Sequence, residues 1–307
     1  MVEKVVILGS GPAGLTAALY AARDDLKPII IGGFNAGGQL MLTTEVENYP
    51  GFPSGIYGAE LIDNMRKQAE KFGAIFVNDD VKEVNFNSSP FKLKTSTEVF
   101  DAHSVIIATG ASAKWLGLES EKKFIGKGIS SCATCDAAFF RNKEVAVVGG
   151  GDTALEDAIF LTKFATKVHI IHRREEFKAS RLAQDRVKAN PKIDLILNSE
   201  VIEILGESSV TGAKIRNNKT NKITEIKIDG LFVAIGYKPN TDFLKDAIKL
   251  DEQGYIIVSD EVKTNIDGIF VAGDVADKIY KQAVIAAGAG AKAALEVRFY
   301  LQKKNII

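Results

Sequence analysis

Two glycine-rich turns constrain this chain more than any other feature. Gly9-Ser10-Gly11-Pro12-Ala13-Gly14 follows the apolar run Val5-Val6-Ile7-Leu8 and precedes an Ala-rich helical stretch over Leu15 to Arg23. Gly149-Gly150-Gly151-Asp152-Thr153-Ala154 follows Val145-Ala146-Val147-Val148 and precedes a second helical stretch over Ala154 to Ala165. A short apolar run on both faces reads as a buried parallel strand. Strand, glycine turn and helix in that order form the start of a βαβ unit. The glycines allow a tight turn and close approach of backbone to a pyrophosphate, and the helix N-terminus offers free N–H groups to the anion. The parallel strands that follow are Pro28 to Ile31 and Lys167 to Ile171. At 307 residues, two such units fit the length.

The two units differ at the end of the second strand. An acid about 20 residues past the glycines usually binds the ribose. The first unit has Gly32-Gly33 there. Its adenosine ribose must be held otherwise, with backbone or Gln39 as the alternatives. The second unit ends in His172-Arg173-Arg174. Two arginines suit the 2′-phosphate of NADP, against the alternative of a solvated charge pair.

Between the two turns lies Cys132-Ala133-Thr134-Cys135, which contains the only two cysteines of the chain. A CxxC pair beside a nucleotide site suits thiol–disulfide exchange better than two buried small hydrophobes. Zinc would take about four N or S ligands. The three histidines, His103, His169 and His172, are not in ligand spacing with the cysteines, so no metal is expected. Asp136 adjoins the pair and is the candidate proton donor; the alternative is a cap for the helix through Ala137-Ala138-Phe139-Phe140. No histidine follows His172 to serve as that acid.

Elsewhere, 37–53 reads as a cofactor-lining loop and 60–72 as an amphipathic helix. An antiparallel meander is expected over 74–107, with its turn at Asn87 to Pro90. Short β segments occupy 192–235, a strand runs to Gly273-Asp274, and a small-residue helix spans Ala283 to Phe299. The formal net charge of zero gives no argument for nucleic acid or an anionic membrane. No apolar run reaches membrane-spanning length, and no signal-peptide pattern precedes Val5. A cytoplasmic protein is the expectation.

Taken in order, Gly-Ser-Gly-Pro-Ala-Gly at 9–14, Gly-Gly-Gln-Leu at 37–40, Thr-Glu-Val-Glu-Asn-Tyr-Pro-Gly at 44–51, Cys-Ala-Thr-Cys-Asp at 132–136, Gly-Gly-Gly-Asp-Thr-Ala at 149–154, His-Arg-Arg at 172–174, Ala-Ile-Gly-Tyr-Lys-Pro-Asn-Thr at 234–241 and Gly-Asp-Val at 273–275 span nearly the whole chain. In that order and spacing they resemble the low-molecular-weight thioredoxin reductases. The resemblance implies an α/β protein of two Rossmann-like nucleotide-binding domains, each with βαβ units and an antiparallel β meander. An FAD domain in two segments, 1–113 and 242–307, would flank an inserted NADPH domain, 114–241, that carries the CxxC.

The resemblance places FAD on Gly9, Gly11, Pro12, Ala13, Gly14, Gly32, Gly33, Gly37, Gly38, Gln39, Leu40, Asn48, Ala108, Thr109, Gly110, Gly273, Asp274, Lys281, Gln282 and Ala283. It places NADPH on Gly149, Gly151, Asp152, Thr153, Ala154, His172, Arg173, Arg174, Lys178, Ile235 and Gly236. Lys178 stands where the family usually has Arg, which keeps the charge but not the bidentate fork. Cys132, Cys135 and Asp136 would be catalytic, with Cys135 facing the flavin and Cys132 attacking thioredoxin. A homodimer is implied. The dithiol and the nicotinamide site share one inserted domain and must both reach one flavin, so two domain orientations are expected, with hinges near Ala111 to Leu116 and Lys238 to Asp242. Other acceptors remain open: oxygen, another redox protein, or none, in a nucleotide-binding sensor.

Overall fold

The computed structural model describes residues 2–307 except Asn35, Thr44 and Lys245. Thr44 falls inside the motif at 44–51 and lies outside the described residues. The chain divides into two compact units, 1–112 with 238–307, and 113–237. It crosses between them in the strands Ala111–Ala113 and Tyr237–Pro239, which pair with each other.

In the first unit, Val6–Leu8 is the middle strand of a five-stranded sheet. Ile29–Ile31 and then Ile75–Val77 lie on one side of it, with Val105–Ile107 and then Ile269–Val271 on the other, all parallel. Strands buried on both faces explain why these runs are continuously apolar rather than alternating. One face packs on the helices Pro12–Arg23 and Ala283–Lys303. Their small residues let the two backbones approach closely: a β-carbon on Gly290 would collide with the Ala13 carbonyl. The other face is covered by Phe86, Phe91, Leu93 and Phe100. The last three belong to the antiparallel strands Phe91–Lys94 and Val99–Ala102.

The second unit repeats the plan. Glu144–Val148 is the middle strand, with Lys167–Ile171 and Ile193–Ile196 on one side and Gly230–Val233 and Ile129–Ser130 on the other. Asp152–Leu161 and Arg181–Ala189 cover one face through Leu155, Ala158, Ala183 and Val187. The antiparallel strands Ser199–Gly206, Val210–Asn217 and Ile223–Lys227 cover the other through Val201, Ile204 and Ile215.

The meander expected over 74–107 is shorter in the structure. Its first and last strands, Ile75–Val77 and Val105–Ile107, belong to the parallel sheet, and only the strands from Glu83 to Ala102 are antiparallel. A three-residue strand cannot show a reliable period, so the pattern does not separate the two environments. Both glycine-turn helices start at the turn itself, at Pro12 and Asp152, earlier than their Ala-rich stretches suggest.

Candidate functional site

In the first unit the glycine turn is built by contacts that leave no room for side chains. Gly9, at φ +105°, and Gly14 pack so closely that a β-carbon on Gly14 would overlap the Gly9 carbonyl, and one on Gly9 would overlap that of Ala108. Gly11 differs: a β-carbon there would meet nothing within 4 Å. It is the N-cap of Pro12–Arg23, with no side-chain cap and no acid in the first turn. The first N–H groups of that helix therefore face open space beside a positive dipole end, an arrangement suited to a pyrophosphate.

Several other predicted residues are tied to this turn or to one another. Ser10 Oγ donates to the Gly32 carbonyl (3.1 Å) and accepts from Gly37 N–H (3.0 Å), tying the turn to both loops that follow Ile29–Ile31. Gly38 lies near Gly11, its β-carbon position 3.7 Å from the Gly11 Cα. Gln39 and Leu40 follow in the short 3₁₀ turn Gly38–Leu42, with Gln39 exposed. Gly273, at φ +79°, packs against Ala13, 2.9 Å from β-carbon position to methyl. Burial, together with the nearby Asp277 carboxylate, pushes Asp274 up to about 6, while Lys281 opposes the shift. Asn48 Nδ2 donates to Gln282 Oε1 at 3.2 Å across 234 residues of sequence. Thr109 and Gly110 are held by Asn240, whose Nδ2 donates to the Thr109 carbonyl (2.8 Å) and whose N–H donates to that of Gly110 (3.0 Å).

The second glycine turn follows the same physics with a different lining. A β-carbon on Gly149 would overlap the Ala234 carbonyl, whereas Gly151 faces open space at the N-terminus of Asp152–Leu161. Asp152 is turned away from that space: its Oδ1 accepts from Ser180 N–H at 2.8 Å, and hydrogen bonds from Ser180 lower its pKa. Thr153 is exposed and Ala154 buried. The His172 ring lies where a β-carbon of Gly150 would have to be. That ring stacks on Phe177, with centroids 5.2 Å apart, and its Nε2 contacts the Glu176 carbonyl at 3.1 Å. Burial lowers the His172 pKa, and Arg173 and Arg174 add to the shift. The loop returns to the turn through Lys178 N–H, which donates to the Gly150 carbonyl at 2.8 Å.

Arg173, Arg174 and Lys178 project exposed side chains from this loop. The adjacent Glu175 is taken by Lys219 at 2.6 Å, and among the described residues neither arginine is ion-paired. Two uncompensated guanidinium groups beside a helix N-terminus suit a phosphate monoester. Ile235 is partly exposed and Gly236, at φ +98°, borders open space.

The same unit holds the cysteines. Cys132 and Cys135 form a disulfide with Cα atoms 5.3 Å apart. Cys132 is the N-cap of the single helical turn Ala133–Asp136, whose Ala133 is buried in the core. The preceding strand supplies Ser130, whose Oγ accepts from Cys132 N–H at 3.0 Å. Tyr237 Oη donates to the Ser131 carbonyl at 2.9 Å. Asp136 makes no side-chain cap bond to the 3₁₀ turn Ala137–Phe140. Burial raises its pKa, and a hydrogen bond from Ser130 works against the rise. The capping role therefore lacks its hydrogen bond, and a carboxyl group with raised proton affinity remains on the residue that follows Cys135.

Ser10, Ser130, Gly150, Tyr237 and Asn240 organise these sites and were not singled out in the sequence. Tyr237 and Asn240 stand in the quoted motif 234–241, which could have marked them. Gly150 was legible as a motif glycine, but its packing against His172 was not.

A family model for pyridine nucleotide-disulphide oxidoreductases matches residues 3–290. The chain belongs to this family. Within it, thioredoxin reductase from Rickettsia prowazekii is 50% identical over 305 residues, covering 98% of each chain. Thioredoxin reductase from Streptomyces coelicolor is 48% identical over 306 residues, covering 98% of this chain and 94% of the relative. The crystal structure of thioredoxin reductase from Streptococcus pyogenes superposes with a TM-score of 0.94 at 42% identity, covering 98% of this chain and 99% of that one. The motif resemblance is thus a full-length membership on the low-molecular-weight thioredoxin reductase branch. Membership makes the chain an oxidoreductase of FAD- and NADPH-dependent type, and the two turns fit those groups: each has one glycine facing open space at an uncapped helix start.

Proposed function

We propose that this chain is an NADPH-dependent thioredoxin-disulfide reductase, passing electrons from NADPH through FAD and the Cys132–Cys135 pair to the disulfide of thioredoxin. The observation that carries the reading is the disulfide on a short helical turn in the same unit as an arginine-lined nucleotide turn. The first unit holds FAD, on the residues set out above from Gly9 to Ala283. The second holds NADPH, with Gly149 and Gly151 at the pyrophosphate and Arg173, Arg174 and Lys178 at the 2′-phosphate. FAD, when bound, converts a hydride equivalent into the two electrons that open a disulfide.

The chain's own groups do the rest. Cys135 is the sulfur facing the flavin, and Asp136 supplies the proton to the Cys132 thiolate released from the pair and takes it back when Cys132 attacks. Cys132, as thiolate, attacks one sulfur of the thioredoxin disulfide and forms a mixed disulfide, expelling the other sulfur. The Cys135 thiolate then attacks Cys132 Sγ. This reforms the Cys132–Cys135 bond and releases reduced thioredoxin, with two electrons transferred. The pair and the nicotinamide site share one unit, so they take turns at the flavin by rotation of that unit, with hinges near Ala111 to Leu116 and near Lys238 to Asp242.

A homodimer is part of the proposal. The first unit exposes large apolar side chains at Met41, Leu42 and Tyr57, and at Ile279, Tyr280, Val284 and Ile285. Runs of that kind mark interfaces. Among the described residues no helix is long and apolar enough to cross a membrane; the proposed location is the cytoplasm. Cys132→Ser tests the order of steps. The variant should keep FAD and still bleach the flavin with NADPH in anaerobic stopped flow, while thioredoxin turnover vanishes. Substantial thioredoxin turnover by Cys132→Ser refutes the assignment.

A further inference from the structure

The first unit lacks the acid that ordinarily ends the second strand of a dinucleotide fold and takes the adenosine ribose. Backbone conformation explains its absence. Gly33, one of the two residues after Ile29–Ile31, sits at φ +78°, where a side chain is disfavoured. A neighbouring strand is placed to compensate. Ile75–Val77 pairs in parallel with Ile29–Ile31, with Val77 opposite Ile31, so the chains leaving the two strands emerge side by side. Gly32 N–H donates to the Val77 carbonyl (3.0 Å) and Gly33 N–H to that of Asp79 (3.1 Å). The next residue, Asp80, turns its side chain back onto the first strand's end. Its Oδ1 accepts from Phe34 N–H at 3.3 Å and lies 3.0 Å from the β-carbon position of Gly33. A carboxylate thus stands where the side chain of residue 33 would have begun.

We propose that Asp80 is the ribose-binding acid of the FAD site, delivered from the adjacent strand in place of the residue that Gly33 cannot be. This rests on the reading of the first unit as the FAD unit. Asp80 is held for the task. Its N–H donates to Asp79 Oδ1 at 2.7 Å, and buried Asp79 is itself fixed by Thr97, through N–H (3.1 Å) and Oγ1 (2.9 Å). It is also accessible, with 45% of its side-chain surface exposed. Its Oδ2 meets Lys82 Nζ at 3.3 Å, an exposed pair of the kind that contributes little. A carboxylate has about four lone-pair directions, so acceptor capacity remains for ribose hydroxyls. Gln39, the alternative raised from sequence, lies exposed on the 3₁₀ turn beyond Gly38.

The test is flavin binding by the apoprotein, read by flavin fluorescence, with FAD and with an FAD whose adenosine ribose lacks its 2′-hydroxyl. Asp80→Asn keeps an oxygen for Phe34 N–H and removes the charge. It should weaken FAD by roughly tenfold or more, the size of one charge-assisted hydrogen bond, and leave the deoxy analogue nearly unchanged. Asp80→Glu should recover part of the loss. Wild-type protein should itself prefer FAD to the analogue by a similar factor, a comparison that needs no variant to fold. Equal wild-type affinity for the two flavins, or an equal loss of both in Asp80→Asn, overturns the assignment. A wild-type protein that binds neither flavin refutes the FAD reading of the unit instead.

Discussion

Tyr237 Oη donates to the carbonyl of Ser131, 106 positions earlier in sequence, at 2.9 Å. The strand through which the chain leaves the second unit therefore holds the residue directly before Cys132. Tyr237→Phe keeps the ring and removes this donor. The loss should cost about 0.5–1.5 kcal/mol of stability and lower the rate of thioredoxin reduction, while NADPH still bleaches the flavin at its normal rate. Thermal melting and stopped flow together check this. An unchanged thioredoxin rate would mean that the bond is not needed to position the redox loop.

Asp136 has a pKa raised by burial. Its protonated form therefore suits the fold. That contribution is fully present below the unfolded value, 3.8, and is lost as pH rises through the raised folded value. Asp136→Asn should thus gain thermal stability relative to wild type as the pH rises through that window. Its thioredoxin turnover should fall by about a hundredfold, as for loss of a general acid, and its pH–rate profile should lose the limb set by this group. A variant whose profile matches wild type would show that Asp136 carries no proton in the reaction.

Arg173 and Arg174 point exposed and without ion-pair partners among the described residues, on the loop beside the second turn. Replacing both by Ala should reduce kcat/KM for NADPH by roughly tenfold to a hundredfold, from the loss of charge-assisted hydrogen bonds. NADH, without a 2′-phosphate, should be used almost as before. Equal losses with both nucleotides would place the arginines at the pyrophosphate or in the fold.

Gly150→Ala forces a methyl into the space of the His172 imidazole. The ring would have to leave its stack on Phe177, so the expected cost is about 1–3 kcal/mol, with KM for NADPH rising as the arginine loop shifts. Adding His172→Ala should restore part of the melting temperature, since the collision partner is gone. Costs that simply add would show that the two positions do not share this space.

The sequence by itself determined the two βαβ starts and the ordered motifs that place the chain in its family. Each of these is a local signal. A glycine at a forced turn, an apolar run, a CxxC spacing and a double arginine are all read within a few neighbours. The strands Glu144–Val148 and Lys167–Ile171 nearly coincide with the expected ones, because four consecutive residues in each are buried. Where only three residues form a strand, as at Ile75–Val77, the pattern did not reveal which sheet it would join.

The tertiary structure alone decided how these pieces are held. The Ser10 bridge to Gly32 and Gly37, the Asn48–Gln282 bond, the Asn240 clamp on Thr109 and Gly110, and the return of Asp80 to Gly33 join residues far apart in sequence. No composition or period encodes such pairs; they arise when parallel strands bring the ends of separate loops side by side. The fate of Asp136 was equally a matter of burial. Its sequence position allowed a cap or an acid, and only the folded environment removed the water that would have kept its carboxylate an ordinary one.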